Sequence, residues 1–288
     1  MLSHFLGVVF DGVAYGSLLF LVSVGLSITM GLMNFVNLAH GAFAMLGGYV
    51  CVLAMSRCGL PFLLALPLAF VAAAVVGVVL ERLVYRRLYR ASPLEQVLFT
   101  IGLTFMAIGA ATYFFGPSQQ PVQLPSFLQG QIRFLGIDFG RYRLFLVALV
   151  LVLRTTLGFL FGRTRFGAQV RAAVDNQDVA RGVGINVDRV FTLTFGLGSG
   201  LAGLGGGLGI DMLGLDPVFP LQYLVFFLLV VAVGGAGTIK GPLAAALVLG
   251  VCDGAGKYYV PELGAFVIYL SMVALLVLFP GGLFGKRA

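Results

Sequence analysis

Charge is what this sequence has least of. Only 10% of its 288 residues are Asp, Glu, Lys or Arg, while 60% are hydrophobic, and the mean hydropathy is +1.05. A soluble domain carries about 25% charged residues, so a water-soluble globular protein is excluded. Histidine is rarer still, with His4 and His40 far apart in sequence. No HExxH, CxxC pair or GxSxG occurs, which removes the common zinc, redox and serine-nucleophile signatures. The three cysteines, Cys51, Cys58 and Cys252, lie in or beside apolar stretches and read as small hydrophobes. Asp11, Glu81, Asp211 and Asp253 are isolated in sequence, whereas a proton relay or intramembrane hydrolase needs paired or chained ionisable groups. No catalytic residue, metal or cofactor is expected.

A nucleotide-binding loop is missing as well. Gly256-Lys257 runs into Tyr258 where a Walker A motif requires Ser or Thr. If ATP drives this protein, the ATPase is a separate chain. Gly198-Ser-Gly-Leu-Ala-Gly203 imitates a dinucleotide fingerprint, but it sits inside an apolar span rather than between a strand and a helix. The first residues lack the basic region and cleavage site of a secretory signal, so a retained first span is expected.

What the sequence does hold is a succession of long apolar stretches, each near the ~18–25 residues that cross a bilayer. They run over 5–30, 39–56, 61–84, 96–115, 143–162, 190–210, 219–236, 241–260 and 264–282. The expected fold is an all-α polytopic bundle of eight or nine membrane helices, with no polar segment long enough for a second domain. The stretch 39–56 decides the count. If it crosses, there are nine helices and the N-terminus is outside; if it is re-entrant, there are eight and the N-terminus is inside.

The net charge of +7 reflects topology rather than affinity for nucleic acid. Arg82, Arg86, Arg87, Arg90, Arg154, Arg163, Arg165, Arg171, Arg181, Arg189, Lys240, Lys286 and Arg287 fall together on one side, leaving five of the 18 basic residues on the other. The positive-inside bias makes that side, and the C-terminus, cytoplasmic. The loop 116–142, with Pro117, Pro121 and Pro125, has turn composition without a strong period. The run GLGSGLAGLGGGLG at 196–209 places Gly196/Gly200 and Gly203/Gly207 at the spacing that lets helix backbones approach closely in lipid.

Two apolar stretches are interrupted by polar residues and helix breakers. The first break is Asn34-Phe-Val-Asn37-Leu-Ala-His40-Gly41; the second is Gly234-Gly-Ala-Gly-Thr-Ile-Lys-Gly-Pro242. Irregular backbone at membrane depth is tolerated only where protein buries it or a wet cavity meets it, and a pair of breaks in the two halves points to a transport path. Asn34, Asn37, His40, Gly41, Gly234, Gly235, Gly237 and Thr238 are the candidate path residues. Ordinary turns between spans, with a hydrogen-bonded His40, are the competing reading. Between the fifth and sixth stretches, residues 167–183 can form one or two short helices rich in alanine, stopped by Gly182 and Gly184. Such a segment suits docking to a cytoplasmic protein, or lies as a basic loop beside anionic headgroups.

The motifs GLMNFVNLAHGAFAMLGGYV at 31–50, LERLVYRRLYR at 80–90, RFGAQVRAAVDNQDVARGVGINVDRV at 165–190 and VGGAGTIKGPLAAALVLG at 233–250 together resemble the permease subunits of bacterial branched-chain amino-acid ABC importers, most closely the first of the two homologous permeases. The resemblance covers nearly the whole chain. It implies a bacterial inner-membrane subunit that pairs with a second homologous permease, sits on two cytoplasmic ATP-binding subunits and receives its solute from a periplasmic binding protein. It also implies that the segment around Arg171, Ala172, Asp175, Ala180 and Gly184, within about 163–189, is a coupling helix. One departure concerns the seventh stretch, where members of the family often carry lysine and this chain reads Tyr-Leu-Val-Phe-Phe-Leu-Leu at 223–229, with Phe226 in the polar place. Related permeases carry urea, short-chain amides or aromatic acids, so the resemblance leaves the solute open. A self-sufficient secondary transporter or channel is the alternative.

Overall fold

A computed structural model describes residues 2–33, 35–89, 91–134, 137–279 and 282–283. The chain is built from α1 (Leu2–Met33), α2 (His40–Ser56), α3 (Phe62–Leu80), a π-helical turn (Glu81–Tyr85) running into α4 (Arg86–Leu88), and α5 (Pro93–Phe115). A hairpin of β1 (Gln131–Phe134) and β2 (Ile137–Gly140) follows, then α6 (Arg141–Arg163), the short α7 (Arg165–Asp175) and α8 (Gln177–Gly182), and finally α9 (Val187–Leu213), α10 (Phe219–Gly234), α11 (Lys240–Tyr259) and α12 (Gly264–Leu278). Each expected apolar stretch contains a helix. Five of them, including 62–88 taken as one, are long and apolar enough to cross a membrane; α2, α10 and the apolar part of α12 are shorter.

α1 and α9 form the centre, and glycine lets the others reach α9 from several sides. Gly198 and Gly205 face Gly25 and Val22 of α1, Gly206 faces Ala44 of α2, and Gly203 faces Ala73 of α3. A Cβ on Gly206 would fall on the carbonyl oxygen of Ala44. Packing without side chains brings backbones together, the form of helix association favoured in lipid.

The same contacts give helix directions. Gly25 meets Gly198 while Val22 lies at Gly205, so α1 and α9 are antiparallel. Ser199 lies at Gly77, Ala73 at Gly203 and Ala69 at Gly207, so α3 is antiparallel to α9 too. Gly47 meets Gly203 while Cys51 lies at Gly207, so α2 runs with α9 and against both its neighbours in sequence.

The hairpin and the pair α7–α8 occupy opposite ends of α6, a separation of about 34 Å at 1.5 Å per residue. Turn composition concealed the hairpin, whose strands pair Arg133 with Asp138. The Arg133 guanidinium makes two hydrogen bonds to that carboxylate, at 2.8 and 3.0 Å, and holds the Asp138 carboxyl below the usual carboxylate range.

Candidate functional site: two helix breaks and a surface helix pair

Interrupted backbone must find hydrogen bonds outside its own helix. At the first break α5 supplies them. Gln96 Oε1 accepts from the Val36 amide at 3.2 Å, Thr100 Oγ1 accepts from the Leu38 amide at 3.2 Å, and Thr104 Oγ1 donates to the Leu38 carbonyl at 3.5 Å. These three lie four residues apart, on one face of α5. Asn37 is buried; its Oδ1 accepts from the Ala39 amide and the Tyr85 hydroxyl, while its Nδ2 has no partner among the described residues. His40 is 2% exposed, with Nε2 at 2.8 Å from the Val22 carbonyl of α1. Gly41 packs on Pro220. Asn34, the first candidate of this break, lies outside the described residues.

The second break is held by α1. Gly235 and Gly237 take φ of 90° and 81°, a left-handed backbone that glycine adopts without steric cost. The Gly237 amide donates to the Ser27 carbonyl at 2.9 Å and the Ser27 hydroxyl donates to the Thr238 carbonyl at 3.1 Å. Thr238 Oγ1 donates to the Gly235 carbonyl and accepts from the Gly241 amide. Gly234 is buried against Gly241 and Pro242.

Both breaks are therefore pinned to the same stretch of α1, through Val22 and Ser27. A cavity of about 640 Å³ touches Gly237, Ile239 and Lys240 of the second break. An apolar one of about 370 Å³ between α2, α3 and α5 touches Ala39 of the first. Phe226 lies in an aromatic cluster, with ring centroids 6.0 Å from both Tyr223 and Tyr269.

The segment after α6 is two capped helices. Thr164 accepts from the Gly167 amide at the start of α7, and Asn176 accepts from the Asp178 and Val179 amides at the start of α8. Gly184, at φ 88°, turns the chain toward α9, where Asn186 caps Arg189. Val170 and Ala173 turn inward, Ala172 is half-buried, and Arg171 and Asp175 are exposed, Arg171 donating to the Phe161 carbonyl. Ala180, expected at a contact position, is 1% exposed and covered by the protein itself. Its neighbours Val179 and Val183 are 61% and 72% exposed, an apolar edge among charged residues.

Sequence reading missed the link between this pair and the bundle. Glu81, in the π-helical turn, has a fully buried side chain. It accepts from Thr192 Oγ1 at 2.6 Å and from the Tyr89 hydroxyl at 2.9 Å, with Arg86 Nε 3.7 Å away. Arg86 reaches Asp188 at 3.9 Å, and Asp188 accepts from Arg181 of α8 at 3.2 Å. Of the other isolated acids, Asp11 pairs with Arg143 and Asp253 with Lys257, while Asp211 forms no ion pair among the described residues. Folding gives Glu81, Asp11 and Asp253 cations rather than one another, the opposite of a carboxylate relay.

A glycine-packed bundle of long apolar helices with broken segments held between them defines a polytopic membrane protein of transport type. The chain belongs to the branched-chain amino acid transport system permease component family, whose sequence profile matches residues 8–276. It is 26% identical to the probable branched-chain amino acid transport permease protein LivH of Methanocaldococcus jannaschii, over 92% of this chain and 86% of that one. It is 25% identical to the high-affinity branched-chain amino acid transport system permease protein BraD of Pseudomonas aeruginosa, and 26% identical to the corresponding LivH of Escherichia coli K12, in each case over 98% of this chain and 96% of the relative. No solved structure matches. The chain is thus a multi-pass membrane transport component.

Proposed function

We propose that this chain is one permease subunit of an ATP-driven importer for branched-chain or related small amino acids. It pairs with a second homologous permease, rests on two cytoplasmic ATP-binding subunits and takes solute from a periplasmic binding protein. The whole chain, 1–288, is one permease domain. The opposed directions of α1 and α3 to the α2 between them support a crossing α2, hence nine membrane helices, an outside N-terminus and a cytoplasmic C-terminus. The two breaks border the solute path, with Asn34, Asn37, His40 and Gly41 on one side and Gly234, Gly235, Gly237 and Thr238 on the other.

The observation that carries the reading is the capped pair α7–α8, tied by ion pairs to the bundle and presenting Val179 and Val183 outward. Exposed apolar side chains on a polar helix are what a docking groove takes up. Residues 163–189 are the coupling segment, with Arg171, Ala172, Asp175 and Gly184 shaping it and Ala180 holding α8 in place. The aromatic surroundings of Phe226 favour a second reading for the solute alone, a urea, amide or aromatic acid.

The test is reconstitution. Proteoliposomes holding this chain alone should show no concentrative uptake, and those holding the co-purified complex should take up solute when ATP and the binding protein are supplied. Ion-driven uptake by the chain alone defeats the proposal in favour of a secondary transporter.

A further inference from the structure

Arg154 lies inside an apolar span, nine residues before the end of α6, about 13 Å from that end at 1.5 Å per residue. A cation at such depth requires an anionic or polar partner. Among the described residues no carboxylate comes within salt-bridge distance of it and no hydrogen bond from its guanidinium is formed; Lys240 is likewise unpaired. Both line the cavity of about 640 Å³ between α1, α6, α7 and the second break, together with Arg171 and one acid, Asp175. Three cations against one anion leave the cavity electropositive. Its remaining wall is mainly apolar, including Leu32, Phe161 and Val174.

We propose that this cavity binds an anionic phospholipid, its phosphate between Arg154 and Lys240 and an acyl chain along Leu32 and Phe161. Charge complementarity selects the headgroup, and the position on a span whose surface is mostly uncovered selects a lipid over a soluble anion. The bound lipid supplies the counter-charge that Arg154 lacks and fills the space where α7 meets the second break. Binding does not depend on the importer reading; it follows from the cavity of the single chain.

The sequence contains no tryptophan, so Phe161→Trp places a unique fluorophore in the cavity wall. In vesicles of phosphatidylcholine and phosphatidylglycerol, brominated phosphatidylglycerol should quench this tryptophan with about a tenfold binding preference over brominated phosphatidylcholine. A control, Phe114→Trp at the far end of α5, should show no preference. Adding Arg154→Gln and Lys240→Gln to Phe161→Trp should abolish the preference, while Arg154→Lys should retain it. If Arg154→Gln prevents insertion, Lys240→Gln alone, on an exposed position, should reduce the preference severalfold. Equal quenching by the two lipids, quenching by neither, or a preference unchanged by Lys240→Gln overturns the proposal. So does loss of the preference on adding inorganic phosphate at constant ionic strength, which would mark a simple anion site.

Discussion

Thr192 donates its hydroxyl to Glu81 Oε2 at 2.6 Å across 111 residues of sequence. The carboxylate is buried in a π-helical turn, and π-helical turns inside longer helices recur at functional positions. Here the turn aims Glu81 at α9 just above the point where Asp188 meets Arg181 of the surface pair. Arg181, Asp188, Arg86 and Glu81 thus form a continuous run of charged groups from α8 to the end of α3.

Replacing Thr192 by Val keeps the shape and removes the donor. The full chain in detergent should lose about 1–3 kcal/mol, the cost of leaving a buried acceptor short of a partner, and melt at lower temperature. Thr192→Ser restores the donor and should melt close to the parent. If Val and Ser variants melt alike, the hydrogen bond contributes nothing and the link is packing alone.

The first break depends on α5 for its backbone partners. Gln96→Leu and Thr100→Val each orphan one amide, at Val36 and Leu38, and each should cost about 1–3 kcal/mol. Limited proteolysis should then cut near residues 35–39 faster than in the parent, with Thr100→Ser protected. An unchanged cleavage pattern in both variants would mean that water or a relaxed backbone replaces the lost acceptors.

Helix positions were legible in the sequence because apolar runs of bilayer length leave no other fold, and Gly196, Gly200, Gly203 and Gly207 announced a close-packed helix. The breaks were legible as breaks, since Asn37, His40 and Gly237 interrupt hydrophobic runs. What holds them was not. Ser27 and Gly31 are small residues in an apolar helix and reveal nothing until Gly237 lands on them. Gln96, Thr100 and Thr104 did carry a signal in their four-residue spacing, overlooked within an otherwise apolar span. The Glu81 network joins residues over a hundred positions apart, which no local pattern encodes. Ala180 misled because a small residue suits an interface and a core equally well.

The central glycines differ sharply in what they tolerate. Gly206→Ala drives a methyl group into the Ala44 backbone, whereas Gly158, in α6, has open space where its Cβ would go. Gly206→Ala should destabilise by about 1–3 kcal/mol or more through overpacking and raise the aggregated fraction in size-exclusion chromatography. Gly158→Ala should elute as the parent does. Equal behaviour of the two would show that α2 can withdraw from α9 at little cost.

Val179 and Val183 face outward from the α8 region and are largely uncovered among the described residues. Changing both to Asp adds charge without touching the buried Ala180, so membrane insertion should be retained and stability should stay within about 0.5 kcal/mol of the parent, as is usual for surface substitutions. Co-purification of the ATP-binding subunits should fall by at least tenfold, because two charges desolvated in a docking groove cost well over 1.4 kcal/mol. Arg171→Ala with Asp175→Ala should weaken the same association less, since Arg171 is already committed to the Phe161 carbonyl. Full co-purification and normal ATP-driven uptake by the double Asp variant would remove α8 from the coupling surface and leave α7 as the contact.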